Sequence, residues 1–217
     1  MRDSPSALPC GEAPGVQARF TIDSTITLIY GPPKRGKSYL LKQMFNNPPT
    51  VEGKPAIQSV VVFTPSRDDW ADVPGACLRD YSPANLALLM KYQSQMELKG
   101  KAGHMVIILD DLLARIDFGS KLISELFTRH RHYNISVILA AQNISKSIHP
   151  IIRQQVKRFI MFDPPSLESC RVIHAAFGSA WENHKKMYDY CKSLNMLESH
   201  SYLVIDVTSG SVDIGCG

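Results

Sequence analysis

The residues with the clearest chemistry are the eight from Gly31 to Ser38, whose sequence is GPPKRGKS. They match the phosphate-binding pattern G-x-x-x-x-G-K-[ST] at every fixed position, although a turn with an exposed basic pair is the simpler alternative. The two glycines let the backbone curl so that successive N–H groups face phosphate oxygens. Lys37 supplies a cation for the β- and γ-phosphates, and the Ser38 hydroxyl is a suitable Mg²⁺ ligand. The predicted nucleotide-binding residues are Gly31, Pro32, Pro33, Lys34, Arg35, Gly36, Lys37, Ser38 and Tyr39.

A second chemical element is the acidic pair Asp110 and Asp111, which follows the apolar run 105–109. In a nucleotide hydrolase, Asp110 would hold Mg²⁺ directly or through water, and Asp111 would orient and deprotonate the attacking water. The simpler interpretation is that two acids begin a solvent-exposed loop. Gln142 follows the apolar run 135–141, where a polar side chain can sense the γ-phosphate, although a lone glutamine there is usually a turn residue.

The elements that must position these residues predict an α/β protein. Apolar runs without alternation are typical of buried strands in a parallel sheet, and the helix that begins at the phosphate loop directs its positive end toward the phosphates. Strands alternating with helices predict a three-layer fold with a mainly parallel central sheet. The predicted strands are 25–30, 57–63, 105–111, 135–141 and 158–162, with a terminal pair at 201–207 and 211–214. The predicted helices begin near residues 38, 83, 120, 150, 166 and 180.

The order of these elements indicates a class of phosphate-loop protein. A strand and a helix, within about 57–97, intervene between the phosphate loop and the acidic pair. This is the arrangement of the additional-strand, RecA-like class, in which an extra strand lies between the phosphate-loop strand and the acidic strand. The segment 64–70 is predicted to be a polar loop at the sheet edge where open α/β sheets bind ligands.

Composition sets broad limits on the protein. The 217 residues, with 44% hydrophobic and 20% charged, suit one domain over 19–217 that follows a flexible, proline-rich arm at 1–18. A net charge of +4 permits a nucleic-acid partner without requiring one. The five scattered cysteines favour free thiols in a reducing compartment. No secretory signal and no transmembrane segment are predicted, so we expect an intracellular protein.

Further residues add a resemblance to a known family. The segments 125–138 and 150–153 with Gln142, together with the phosphate loop and the acidic strand end, resemble the genome-packaging ATPases of large eukaryotic and membrane-containing DNA viruses. These form the poxvirus-type branch of the FtsK/HerA superfamily, and the most particular match is RHYNIS at 131–136. The resemblance covers about residues 20 to 163.

The resemblance implies a function. Proteins of this family form ring-shaped oligomers, usually hexamers or pentamers, that hydrolyse ATP with Mg²⁺ to drive double-stranded DNA into a preformed viral capsid. The implied location is the host cytoplasm or a virus factory, with association with the virion or its packaging vertex. The roles of Lys37, Ser38, Asp110, Asp111 and Gln142 carry over position by position.

The family also implies an arginine that reaches the site from a neighbouring subunit and stabilises charge on the transferred phosphoryl group. Arg131 is the first candidate, Arg153 the second, and Arg129 is a third; each could instead bind a carboxylate or a DNA phosphate. DNA contact is expected to be with the backbone, without sequence reading. Candidate pore residues are Lys99, Lys101, Lys146, Lys157 and Arg158.

Two other function classes stay open at this point. A small nucleotide kinase would need an arginine-rich lid, and the sequence has no obvious one. A nucleotide-dependent assembly or export ATPase would act on a capsid or membrane partner instead of DNA, and such proteins usually carry a transmembrane segment.

Overall fold

The computed structural model describes residues 23–46, 48–52, 54–70, 73, 75–142, 148–163, 166–194 and 201–216. The predicted arm at 1–18 and the candidate pore residue Lys146 lie outside these ranges. The strands are β1 (Ile26–Tyr30), β2 (Thr50–Val51), β3 (Lys54–Pro55), β4 (Ile57–Phe63), β5 (Ala76–Arg79), β6 (His104–Asp110), β7 (Ile135–Ala141), β8 (Arg158–Met161), β9 (Ser201–Asp206) and β10 (Val212–Cys216). The helices are α1 (Lys37–Asn46), α2 (Pro83–Leu98), α3 (Lys121–Arg129), α4 (Pro150–Gln155), α5 (Leu167–Phe177) and α6 (His184–Ser193).

The main sheet has eight strands in the order β10-β9-β8-β1-β7-β6-β4-β5, and β2 pairs with β3 in a separate hairpin. β4 is parallel to β5 and β6, and β6 is parallel to β7, whereas β9 is antiparallel to β8 and β10. Every residue of β1, β6 and β7 is buried, which explains their unbroken apolar sequences. The predicted α/β fold with a mainly parallel sheet is confirmed.

The structure corrects the position of the additional strand. The sequence predicts that the strand at 57–63 is the additional strand, because it lies between the phosphate loop and the acidic pair along the chain. In the sheet, this strand, β4, instead lies on the side of β6 that faces away from β1. The strand between β1 and β6 is β7, and its Val137 N–H donates to the Thr25 carbonyl at 2.9 Å. Chain order does not fix sheet order, because a crossover helix can return the chain to either side of an earlier strand.

Polar side chains define where several helices begin. Ser82 precedes Pro83 at the start of α2, as predicted, and its Oγ accepts a hydrogen bond from the Asn85 N–H at 3.1 Å. Ser120, before α3, accepts in the same way from the Ile123 N–H at 3.4 Å. Each such cap satisfies a backbone donor at the helix start and contributes about 1 kcal/mol. Among the described residues, none of the helices combines the length and hydropathy that crossing a bilayer requires.

The chain divides into two compact units, and the described residues of the first lie within 28–40 and 141–216. Its core contains the last part of β1 together with β8, β9, α5 and α6. Phe159 of β8 stacks on Phe177 of α5, with ring centroids 4.7 Å apart. Both rings are fully buried.

The described residues of the second unit lie within 23–27 and 41–140. Its core packs β4, β6 and β7 with residues of α2 and α3. Leu86 and Met90 of α2 are buried, whereas Leu88 is exposed. The edge strand β5 was not predicted, because Ala76 to Arg79 is short and only half-buried.

Candidate functional site

The phosphate loop joins β1 to α1 in the first unit, as predicted. β1 ends at Tyr30 and α1 begins at Lys37, which leaves the loop over residues 31–36. The Tyr30 carbonyl accepts a hydrogen bond from the Phe162 N–H at 2.8 Å, and the Gly31 N–H donates to the Ala141 carbonyl at 3.2 Å. The start of the loop is therefore attached to the ends of β8 and β7.

The two glycines of the motif are required for different reasons. An added Cβ on Gly31 would lie 2.7 Å from the Cβ of Phe162, so there is no room for a side chain at this position. Gly36 has φ +96°, in the left-handed region that side-chain-bearing residues rarely adopt. Lys34 also has a positive φ, 61°, so the loop turns sharply at two places.

Lys37 is folded back over the loop. Its Nζ donates to the Gly31 carbonyl at 2.6 Å and to the Pro32 carbonyl at 2.9 Å, and the residue is only 7% exposed. The ammonium is thus held against the loop backbone, whose amides the motif predicts to face phosphate. Ser38 follows as the second residue of α1 and is half-buried.

An aromatic cleft of about 350 Å³ lies beside the phosphate loop within the first unit. The ring of Phe162 packs under the loop and faces Tyr202 across 5.3 Å between centroids. Tyr39 is 57% exposed at the cleft. A volume of this size suits a small ligand such as a nucleoside. The lining residues are Lys34, Arg35, Gly36, Tyr39, Leu40, Phe162 and Tyr202.

Phe162 and Tyr202 line the cleft but were not predicted from the sequence. They lie more than a hundred residues from the motif, and no spacing rule connects them with it. The only available signal was positional, since Phe162 directly follows a strand and polar or aromatic residues at strand ends often contact ligands.

Gln142 and Arg153 also belong to the first unit. Gln142 directly follows β7, next to the Ala141 carbonyl that the Gly31 N–H contacts, and it is half-buried. The predicted sensor, Gln142, is therefore adjacent in sequence to Ala141, whose carbonyl contacts the phosphate loop. Arg153 is an exposed residue of α4, the short helix that His149 caps at its start.

Asp110 is the last residue of β6, in the second unit, and it is 8% exposed. Its Oδ2 accepts hydrogen bonds from the indole Nε1 of Trp70 at 3.0 Å and from the hydroxyl of Thr64 at 3.4 Å. Thr64 and Trp70 come from the segment that was predicted to be a polar loop. Residues 65–69 are exposed, as a polar loop would be, but the structure corrects the rest of this prediction, because 68–70 forms a 3-10 turn and Trp70 is 1% exposed.

Asp111 has a different environment from Asp110. It is exposed and has φ +53°, and its N–H donates to the Ala140 carbonyl at 3.0 Å. A left-handed residue other than glycine is uncommon and costs on the order of 1 kcal/mol, although aspartate tolerates this conformation better than most residues. The chain therefore turns sharply between a buried carboxylate and an exposed one.

The oxygen donors present fit a hard cation such as Mg²⁺. Magnesium prefers carboxylate, hydroxyl, phosphate and water oxygens. Each unit supplies one donor of this type: Asp110, in the second unit, has a buried carboxylate, and Ser38, in the first unit, has a hydroxyl at the start of a helix.

Arg131 and Asp110 belong to the same unit, but they lie at opposite ends of its parallel strands. It belongs to the 3-10 turn that precedes β7 and is exposed. The parallel register pairs Met105 with Ile135 and Asp110 with Ala140, so Arg131 precedes the strand by four residues. The strand between these pairs spans about 17 Å at roughly 3.3 Å per residue. Arg131 therefore does not reach the Asp110 carboxylate of its own chain.

Arg129, the third candidate, already has partners in the second unit. Its guanidinium lies 3.5 Å from the Glu125 carboxylate and 5.6 Å from the ring centroid of Tyr133. The Tyr133 hydroxyl in turn donates to Glu125 at 2.6 Å. These contacts favour a structural role for Arg129 and leave Arg131 and Arg153 as the candidates for action on another subunit.

The comparisons with known proteins identify the fold. No family model matches the chain, and a search of curated proteins found no match. Among solved structures, the genome packaging NTPase B204 of Sulfolobus turreted icosahedral virus 2, in complex with AMPPCP, is 20% identical with a TM-score of 0.63, over 90% of this chain and 98% of that one.

Two further structures agree with this result. The DNA-packaging ATPase B204 of Sulfolobus turreted icosahedral virus is 18% identical with a TM-score of 0.64, over 90% of this chain and 98% of that one. The conjugation coupling protein TcpA of pCW3, with ATPγS, is 16% identical with a TM-score of 0.59, over 90% of this chain and 60% of that one. The chain therefore has the P-loop NTPase fold of these proteins, as the sequence predicted.

Proposed function

We propose that this protein is an ATP-hydrolysing motor that translocates double-stranded viral DNA into a preformed capsid as a homo-oligomeric ring. The observation that carries the proposal is a complete phosphate loop, with Lys37 buried over it, in a fold that matches a genome packaging NTPase along 90% of the chain. The proposed ring is a hexamer or a pentamer. Its partners are the DNA backbone and the packaging vertex of the capsid, inside the host cell.

The aromatic cleft supports a nucleotide as the substrate, in preference to a bare phosphate. It lies directly beside the phosphate loop, so a ligand whose phosphates occupy the loop can place its base or ribose against Phe162, Tyr202 and Tyr39. Stacking of a base on an aromatic ring contributes about 1–3 kcal/mol.

Each site residue has a proposed role. The loop amides and Lys37 bind the β- and γ-phosphates, and Ser38 and Asp110 would hold Mg²⁺. When bound, Mg²⁺ neutralises charge that develops on the phosphate oxygens. Asp111, the exposed acid, would orient the attacking water and accept its proton, and Gln142 would sense the γ-phosphate. The buried carboxylate suits metal binding, whereas the exposed one is accessible to water.

An arginine of a neighbouring subunit completes the proposed site. Arg131 is the first candidate, because it is exposed and too distant to act on Asp110 of its own chain, and Arg153 is the second. Its charge would stabilise the transferred phosphoryl group, a contribution of about 10³–10⁵ in rate where it has been measured in other enzymes.

The experiment that tests the proposal measures ATP hydrolysis by the purified protein with and without double-stranded DNA, together with its mass in solution. We expect a ring-sized oligomer whose ATPase activity DNA stimulates. Lys37→Ala should lower the activity by about 10²-fold or more, since it removes a charge that acts on the phosphates. Lys91→Ala, an exposed lysine of α2, is the matched control and should leave the activity unchanged.

The outcomes separate the alternative functions. A monomer that transfers phosphate to a nucleotide or nucleoside would overturn the motor proposal and favour a small kinase. An oligomeric ATPase that neither binds DNA nor is stimulated by it would favour an assembly or export ATPase.

A further inference from the structure

The side chain of Phe162 packs against both glycines of the phosphate loop. An added Cβ on Gly31 would lie 2.7 Å from the Phe162 Cβ, and one on Gly36 would lie 3.3 Å from its Cε1. The Phe162 N–H also donates to the Tyr30 carbonyl at 2.8 Å, directly before the loop. A single aromatic residue therefore contacts the loop near its start and near its end, and its position limits the shape that the loop can adopt.

Phe162 in turn contacts Tyr202 of β9. The two ring centroids are 5.3 Å apart, and the rings are tilted by 42°. Tyr202 is 1% exposed and Phe162 is 4% exposed. Because protein interiors are close-packed, a displaced Tyr202 ring must either move Phe162 or enter the cleft that both rings line.

Tyr202 also packs across Gly215 of the neighbouring strand. These two residues are partners in the antiparallel register of β9 and β10. An added Cβ on Gly215 would lie 2.1 Å from the Tyr202 Cε2 and 2.3 Å from its Cζ, far inside the distance of an ordinary carbon contact. The backbone of Gly215 is not left-handed, so the space that the ring needs, and not the conformation, accounts for a glycine at this position.

We infer that Tyr202 and Gly215 are positioning residues for phosphate binding: Gly215 leaves room for the Tyr202 ring, and this ring holds Phe162 against the phosphate loop. The contacts run from β10 to the loop within the first unit. They make the C-terminal strand pair, which the family resemblance over about 20–163 does not include, part of the nucleotide site. The inference rests on the proposed function, because it requires the loop to bind the phosphates of a nucleotide.

The test measures phosphate binding without a base and without a metal. Inorganic tripolyphosphate is titrated into the protein in EDTA, and its Kd is measured by calorimetry. Tyr202→Leu removes the ring that contacts Phe162. We expect it to weaken tripolyphosphate binding by about 10-fold, because a loop that is less ordered before binding loses more freedom on binding. Tyr202→Phe keeps the ring and should bind tripolyphosphate like the wild type.

Phe177 provides a matched control for Tyr202. It is fully buried in the same unit, and its ring stacks on Phe159 of β8 with centroids 4.7 Å apart. Phe177→Leu therefore also removes an aromatic contact from the core. It should lower Tm as Tyr202→Leu does but leave the Kd for tripolyphosphate unchanged. If Tyr202 served only the stability of the core, the two leucine variants would behave alike.

Gly215→Ala tests the other end of this chain of contacts. It should weaken tripolyphosphate binding as Tyr202→Leu does, and it should add little when combined with that variant, because leucine lacks the Cε2 and Cζ atoms. Gly178→Ala is the matched control in the same unit, since its added Cβ would lie 2.5 Å from the His174 Cα. It should cost stability without changing the Kd. If Gly215→Ala does not fold, the comparison of Tyr202→Leu with Tyr202→Phe still decides the outcome.

The results distinguish this inference from the proposed function. If the wild type binds tripolyphosphate and the folded Tyr202→Leu variant binds it equally well, the positioning role is overturned and the proposed function stands. Equal losses in Tyr202→Leu and Tyr202→Phe would also overturn it, because the hydroxyl and not the ring would then be responsible. If the wild type does not bind tripolyphosphate, the inference is overturned, and if it does not bind ATPγS either, the proposed function is overturned as well.

Discussion

Replacing Gly31 by alanine tests whether the phosphate loop depends on its contact with Phe162. The added Cβ would lie 2.7 Å from the Phe162 Cβ and 3.4 Å from its Cγ. Carbon atoms in ordinary contact are about 3.5–4.0 Å apart, so the loop and the end of β8 would have to separate by about 1 Å. The Cβ of Phe162 is attached to the backbone and cannot rotate away.

The size of the effect follows from this overlap. Separation would strain the hydrogen bonds from Phe162 to Tyr30, at 2.8 Å, and from Gly31 to Ala141, at 3.2 Å. Overpacking a well-packed position costs about 1–3 kcal/mol of unfolding free energy. In a protein of this size that lowers Tm by about 2–12 °C. A loop displaced by about 1 Å should also weaken catalysis by about 10²-fold.

Thermal unfolding measures the loss of stability, and nucleotide titration together with the rate of ATP hydrolysis measures the loss of function. Gly119→Ala is the control, because its added Cβ meets only a terminal oxygen of the Asp117 side chain, at 3.3 Å. Combining Gly31→Ala with Phe162→Ala should not restore stability, since alanine retains the Cβ that causes the conflict. If Gly31→Ala has wild-type Tm and nucleotide affinity, the steric explanation of this glycine is wrong.

Two other predictions concern the 3-10 turn before β7. Arg131→Ala should lower hydrolysis by about 10³-fold while ATP binding remains, and mixing it with Lys37→Ala should restore part of the activity; no recovery would contradict action on a neighbouring subunit. Burial lowers the pKa of His130 below its ordinary 6.5, so the unfolded chain binds this proton more readily than the folded one. The stability due to neutral His130 is therefore fully present above pH ~6.5 and is lost as the pH falls below that value. Urea unfolding at several pH values should show that the unfolding free energy depends less on pH in His130→Phe but not in His132→Gln, which changes an exposed residue. Equal pH dependence in the wild type and both variants would refute this role of burial.

The sequence predicted those parts of the fold that depend on local pattern. β4 and β7 coincide with the predicted apolar runs, because buried parallel strands consist of continuous apolar residues. The Ser82-Pro83 start of α2 was predictable from capping chemistry. The position of β7 beside β1 was not predictable in this way, because it depends on which side of the sheet the chain returns to.

The same distinction applies to the candidate site. The glycines, Lys37 and Ser38 form a contiguous motif, so their place between a strand and a helix was predictable from spacing alone. The contact of Trp70 with Asp110 joins residues 40 positions apart and depends on a turn that the sequence suggested was a polar loop. The contact of Phe162 with Gly31 could not be predicted from the sequence either, because it depends on which strand ends lie next to each other in the sheet.

Arg131 and Asp110 lie at opposite ends of the parallel strands, and this arrangement has a consequence for the symmetry of an oligomer. A contact that brought Arg131 of one copy to Asp110 of another would join two different surfaces, so it would be heterologous. A two-fold dimer uses the same surface on both copies. It could form this contact only if both surfaces lay within one interface. Heterologous contacts instead repeat head to tail, and they close into a ring when the rotation between copies divides a full turn. Such a ring has two different faces, which gives an intrinsic direction to any polymer that passes through it.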